Sequence, residues 1–107
     1  MAWHPVAPAD GFAENAARTI EIGELRVAVY RLGSDFFAIS DICTHEYAVL
    51  SDGFCAGGRI ECPLHQASFD IRTGTALDEP AEIDLATYPT RILDGIVEVQ
   101  IEPTRSA

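Results

Sequence analysis

The chain has 107 residues, the size of one domain. Seventeen acidic residues oppose seven basic ones, all arginine, for a formal charge of −10, which excludes a protein that grips nucleic-acid phosphates. Hydrophobic residues make up 48%, too many for a disordered chain, yet Arg26, Arg31 and Asp35 interrupt the longest apolar runs and none nears the ~20 residues of a membrane span. The start, Met1-Ala2-Trp3-His4-Pro5, carries neither a basic head nor an apolar signal core, which predicts a cytoplasmic protein with no membrane partner.

Trp3 to Pro8 alternates bulk with proline and predicts an edge strand or an extended start. His4 falls in it and is expected to be a hydrogen-bonded structural histidine. Pro8 to Gly11 is turn chemistry, and residues 12–17 offer one helical turn at most. Arg18 to Ile22 predicts a strand, with a turn at Gly23-Glu24. Leu25, Val27 and Val29 then alternate with Arg26, Ala28 and Tyr30, the period of a strand with one buried face. Gly33-Ser34 reverses the chain into Asp35 to Ser40, which completes a hairpin and delivers Asp41-Ile42 to Cys43.

Leu50 to Gly53 and Ala56 to Arg59 read as turns around a short segment, followed by a strand at Arg59 to Glu61 and another at Gln66 to Ile71. Arg72 to Gly74 turns, and Leu77 to Glu82 is an acidic loop with Pro80 in it. Thr87 to Leu93, the pair Asp94-Gly95, and Ile96 to Ile101 predict strand, tight turn and strand, with Val97, Val99 and Ile101 facing inward. Residues from Glu102 onward read as a tail. The predicted class is all-β, small antiparallel sheets in a single domain over residues 1–107.

Two short segments carry the chemistry. Cys43-Thr44-His45 is followed, after sixteen intervening residues, by Cys62-Pro63-Leu64-His65. Each offers one thiolate and one imidazole, so the four form a metal-ligand pattern, held in hairpin-like loops at about 41–50 and 61–68. Like ligands pair in a common zinc finger, whereas each pair here is mixed, as suits two metal ions with different surroundings. A single tetrahedral zinc held by Cys43, His45, Cys62 and His65, in a structural interaction module, is the alternative. Cys55 lies between the loops and reads as a small packing residue.

This pattern resembles the ligand signature of Rieske iron–sulfur proteins. From about Trp3 to Ile101 the chain is similar to the small ferredoxins of bacterial ring-hydroxylating (aromatic) dioxygenase systems. The resemblance implies the Rieske fold and one [2Fe–2S] cluster, with Cys43 and Cys62 on one iron and His45 and His65 on the other. Two thiolates leave the oxidised cluster about neutral, so it accepts an electron more readily than an all-cysteine centre. The implied protein is no enzyme but a carrier of single electrons from a flavin-containing ferredoxin reductase to a terminal oxygenase, in aromatic hydrocarbon catabolism. No further 2-His-1-carboxylate set stands in the sequence.

A Rieske subunit of another oxidoreductase is the second alternative. Its respiratory branch has a disulfide between the loops, where this chain has Ala48 and Leu64. That branch also supplies serine and tyrosine hydroxyls to sulfur after the second histidine, where this chain has Ala67 and Phe69. A low potential is therefore expected. Ser68, one residue away, should be turned aside by strand alternation. The resemblance also makes Pro80 a candidate shield over the cluster. Glu46, Asp78 and Glu79 are candidate steering charges for docking near His45 and His65.

Overall fold

The computed structural model describes residues 2–23, 25–42, 49–62, 68–77 and 84–101. Among them the chain forms strands β1 (Ala2–Pro8), β2 (Ala17–Ile22), β3 (Leu25–Leu32), β4 (Asp35–Ser40), β5 (Phe54–Ala56), β6 (Arg59–Glu61), β7 (Ser68–Asp70), β8 (Thr87–Tyr88), β9 (Thr90–Leu93) and β10 (Ile96–Ile101). They make three antiparallel sheets, in the orders β1-β10-β9, β2-β3-β4-β8 and β5-β6-β7. The class is all-β, and the helical pieces among the described residues are single 3-10 turns at Ala9–Gly11 and Leu50–Asp52.

β3 departs from the one-faced strand that its alternation predicts. Val27 and Val29 pack with Val97, Val99 and Ile101 of β10, while Ala28 and Tyr30 pack on the other side with Leu50, Ile60, Cys62 and Phe69. Both faces are buried because β3 lies between two layers, and Arg26 and Arg31 reach water only near its ends. Each large aliphatic side chain buried this way contributes about 1.5–3 kcal/mol.

Residues 12–17 form no helical turn. Asn15 takes a left-handed φ of 64°, its N–H donates to the Arg31 carbonyl at 2.9 Å, and Arg31 N–H donates to the Ala16 carbonyl at 3.2 Å. Pairing with the end of β3, beside a single internal turn bond from Ala16 N–H to the Ala13 carbonyl at 3.0 Å, takes the place of a helix too short to nucleate. The predicted strand at 87–93 divides at Pro89. Thr87–Tyr88 pairs with β4, whereas Thr90–Leu93 pairs with β10. Proline has no N–H for a ladder, so the chain changes sheets there. Asp94 and Gly95, at φ 53° and 79°, make the tight turn that the Asp-Gly pair predicts.

Two sheets bear on the ligand loops. β4 leads into the first, and β6 and β7 flank the second. A close backbone contact joins them. A Cβ added to Gly53, just after the first loop, would lie 1.9 Å from the Glu61 carbonyl oxygen, just before Cys62. Only glycine lets these segments approach so closely. Gly53→Ala should lower stability by about 1–3 kcal/mol, the usual cost of overpacking, read as a fall in the thermal unfolding midpoint. An unchanged midpoint would show that the two segments separate freely.

Candidate metal centre

The first loop leaves the sheet through a neck tied by backbone hydrogen bonds. Asp41 N–H donates to the Arg26 carbonyl at 2.8 Å, and Leu50 N–H donates to the Asp41 carbonyl at 2.7 Å. Ile42 and Val49 form an isolated antiparallel bridge. The Asp41 side chain is fully buried, with both oxygens in use. Oδ1 accepts from Ser51 N–H at 2.7 Å; Oδ2 accepts from Ser51 Oγ and from Arg26 Nε, each at 2.8 Å. Arg26 also contacts Glu21 at 2.6 Å. These bonds, Asp41's first, raise the Arg26 guanidinium above its ordinary range.

The second neck is closed by the Glu61–Ser68 pair between β6 and β7. Cys62 is 1% exposed, in no disulfide, and packed in one apolar cluster with Leu50, Ile60 and Phe69. The Ser68 hydroxyl accepts from Arg59 Nη2 at 2.7 Å, on the face that carries Phe54, Ala56 and Glu61. Phe69 enters the opposite side with Cys62. Ser68 is turned aside, as alternation predicts.

Of the four expected ligands, Cys62 is described, and Cys43, His45 and His65 lie outside the described residues. So do Glu46, Ala48, Leu64, Ala67, Asp78, Glu79 and Pro80. The structure does bring together the two necks that bracket the ligands, through Gly53 against Glu61 and Leu50 with Cys62 in one cluster.

Cys55 meets its expectation as a packing residue, and His4 departs from its own in part. Cys55 is half-buried against the same core, and burial, with Glu14's charge second, pushes its thiol up. It stays protonated and suits packing more than ligation. His4 was expected to be hydrogen-bonded, yet its Nε2 is buried with no partner among the described residues. It sits on β1 opposite Val99, in the sheet that bears neither loop. The Tyr30 hydroxyl is likewise buried without a partner among the described residues. Burial, then Asp41 and Cys55, holds its ionisation far above the ordinary tyrosine range. The Asp41–Ser51–Arg26 cluster is what the sequence reading missed. Its signal was an aspartate ending an otherwise apolar strand, directly before a ligand loop.

The family model of the Rieske [2Fe-2S] domain matches residues 2–89. The chain therefore belongs to the Rieske [2Fe–2S] family, and that membership implies one Rieske cluster. It is 42% identical, over 92% of both chains, to the anthranilate 1,2-dioxygenase ferredoxin subunit of Burkholderia cepacia. It is 37% identical to the ferredoxin component of the naphthalene 1,2-dioxygenase/salicylate 5-hydroxylase systems of a Ralstonia species, over 94% of this chain and 96% of that one. Among solved structures it superposes with TM-score 0.90, at 34% identity and 95% coverage of both chains, on a chain from the complex of reduced oxygenase and oxidised ferredoxin in carbazole 1,9a-dioxygenase. The Sphingomonas yanoikuyae B1 ferredoxin gives 0.87 at 32% identity, over 94% of this chain and all of that one.

The described residues fit such a cluster. Cys62 offers an unbridged thiol in a dry, apolar setting, at the point where the two necks meet. Cys55 lies on β5, outside both loops. Cys55→Ser should leave the visible absorption of the purified protein unchanged, and bleaching would make Cys55 a ligand.

Proposed function

We propose that residues 1–107 form one domain that binds a [2Fe–2S] cluster through Cys43 and Cys62 on one iron and His45 and His65 on the other. In this reading the protein is an electron carrier and no enzyme. It takes single electrons from a flavin-containing ferredoxin reductase and gives them to the terminal oxygenase of a ring-hydroxylating dioxygenase system in the cytoplasm. The observation that carries the reading is similarity along nearly the whole chain to ferredoxin components of such systems. The solved ferredoxin–oxygenase complex supports the oxygenase as partner. Among the described residues no helix is long and apolar enough to cross a membrane.

When bound, the cluster supplies a centre that gains and loses one electron at a time. The protein's part is to hold it dry, fix its ligands and set its potential. Packing of Leu50, Ile60 and Phe69 around Cys62 excludes water on the inner side. Imidazole ligands keep a second ring nitrogen, which suits His45 and His65 to the side that meets partners. Ring-hydroxylating partners with basic docking faces would be drawn by the net charge of −10. Raising salt from low ionic strength, where the Debye length shortens to ~10 Å at 0.1 M, should slow electron transfer. A salt-independent rate would reduce the acidity to a matter of solubility.

Sulfur-directed hydroxyls stabilise the reduced, more negative centre and raise its potential. Phe69 enters the core beside Cys62 with no polar atom, and the Ser68 hydroxyl bonds Arg59 on the other face. We therefore place the potential low in the Rieske range, at about −150 mV. Ala67→Ser with Phe69→Tyr should raise it by roughly 100–250 mV, taking ~59 mV per tenfold for one electron. Protein-film voltammetry measures both. A wild-type potential above zero, or a double variant that moves downward, contradicts this reading. The functional test is reconstitution: with a reductase and an oxygenase of this class, substrate hydroxylation should require this chain, and hydroxylation at full rate without it overturns the role.

A further inference from the structure

We propose that Asp41 is a positioning residue for the metal centre, a latch that presets the first ligand loop through Ser51. The proposal rests on the reading above, in which residues 43–48 carry Cys43 and His45.

The backbone bonds at this neck, including the Ile42–Val49 bridge, already close the loop. A buried carboxylate adds a cost that only good partners offset, since an ion taken out of water loses several kcal/mol of hydration. Yet the chain buries Asp41 completely and meets both its oxygens with three donors at 2.7–2.8 Å. Among the described residues the second neck carries a different contact, Arg59 Nη2 donating to the Ser68 hydroxyl at 2.7 Å, and Glu61, next to Cys62, is exposed. The asymmetry follows the construction. The second neck is the end of a regular β6–β7 ladder, whose register is fixed by pairing. The first joins the end of β4 to a 3-10 turn, so one bridge pair sets its register and a slip by one residue would turn each ligand to the opposite side.

A carboxylate that bonds both the N–H and the hydroxyl of a single residue removes that freedom, because Ser51 meets both oxygens in one register only. Arg26 fixes the carboxylate from β3, and Glu21 on β2 holds Arg26 in turn. The latch thus runs from the outer strand of the four-stranded sheet to the loop neck. Holding both ends of the loop lowers the ordering cost of ligation and narrows the spread of ligand geometries.

The test uses holoprotein at one neutral pH, well below its unfolding temperature. Three quantities are measured: the rate at which a chelator bleaches the visible absorption, the linewidths of the reduced centre's electron paramagnetic resonance signal, and the thermal midpoint. Asp41→Ala, which loses all three bonds, should bleach about tenfold faster or more and show broadened lines. Ser51→Ala keeps the N–H bond and should bleach severalfold faster with sheet content intact, and Ser51→Thr should restore the wild-type rate and linewidth. If Asp41→Ala does not accumulate, Asp41→Asn and the Ser51 pair decide alone, since Asn keeps an acceptor for Ser51 N–H but loses the Arg26 pairing. Variants with a lower thermal midpoint but wild-type bleaching and linewidths would make the latch a plain stabilising contact and overturn the proposal. A wild-type protein without the cluster's spectrum would instead overturn the functional reading on which it rests.

Discussion

Val27 and Val29 face one way from β3, Ala28 and Tyr30 face the other, and neither pair meets water. That two-faced burial is the constraint on which the remaining structure depends. One face binds the β1-β10-β9 sheet, and the other packs with Leu50, Ile60, Cys62 and Phe69. The necks on either side of the expected ligands are therefore joined to the middle of the domain. Because packed interiors have little slack, a shift in β3 is transmitted to both necks.

The necks themselves are fixed by different means, and the difference is instructive. The second is a ladder between β6 and β7; the first is a single bridge reinforced by a buried charge. Where they meet, the absence of a side chain at Gly53 permits direct backbone approach. On the proposed ligand set, two separate loops must reach one centre, and the contacts at their necks fix where each loop begins and ends.

Much of this was legible in the residues. The Cys-x-His and Cys-x2-His pairs pointed to the family that the comparison shows, Asp94-Gly95 to its turn, and the alternation of Val97, Val99 and Ile101 to an inward face that the structure buries. What escaped was tertiary. Alternation shows which residues share a face but not whether the second face is also covered, so Tyr30 and Ala28 read as outward. Pro89 reads as one residue within a strand until two sheets compete for the segments on either side of it. Asp41 reads as a charge at a strand end, since its partners Arg26 and Ser51 lie fifteen and ten residues away in sequence. The structure leaves Cys43, His45 and His65 outside the described residues, so their roles rest on the motif and the family.

The measurement that reaches the centre of this account is the metal inventory of the purified protein joined to pulsed paramagnetic resonance of its reduced form. Two irons and two acid-labile sulfides per chain are expected, the content of a [2Fe–2S] cluster. The unpaired electron should also couple to two imidazole nitrogens, both lost when His45 and His65 are replaced. One zinc per chain without sulfide, or an iron–sulfur centre with no nitrogen coupling, would contradict it.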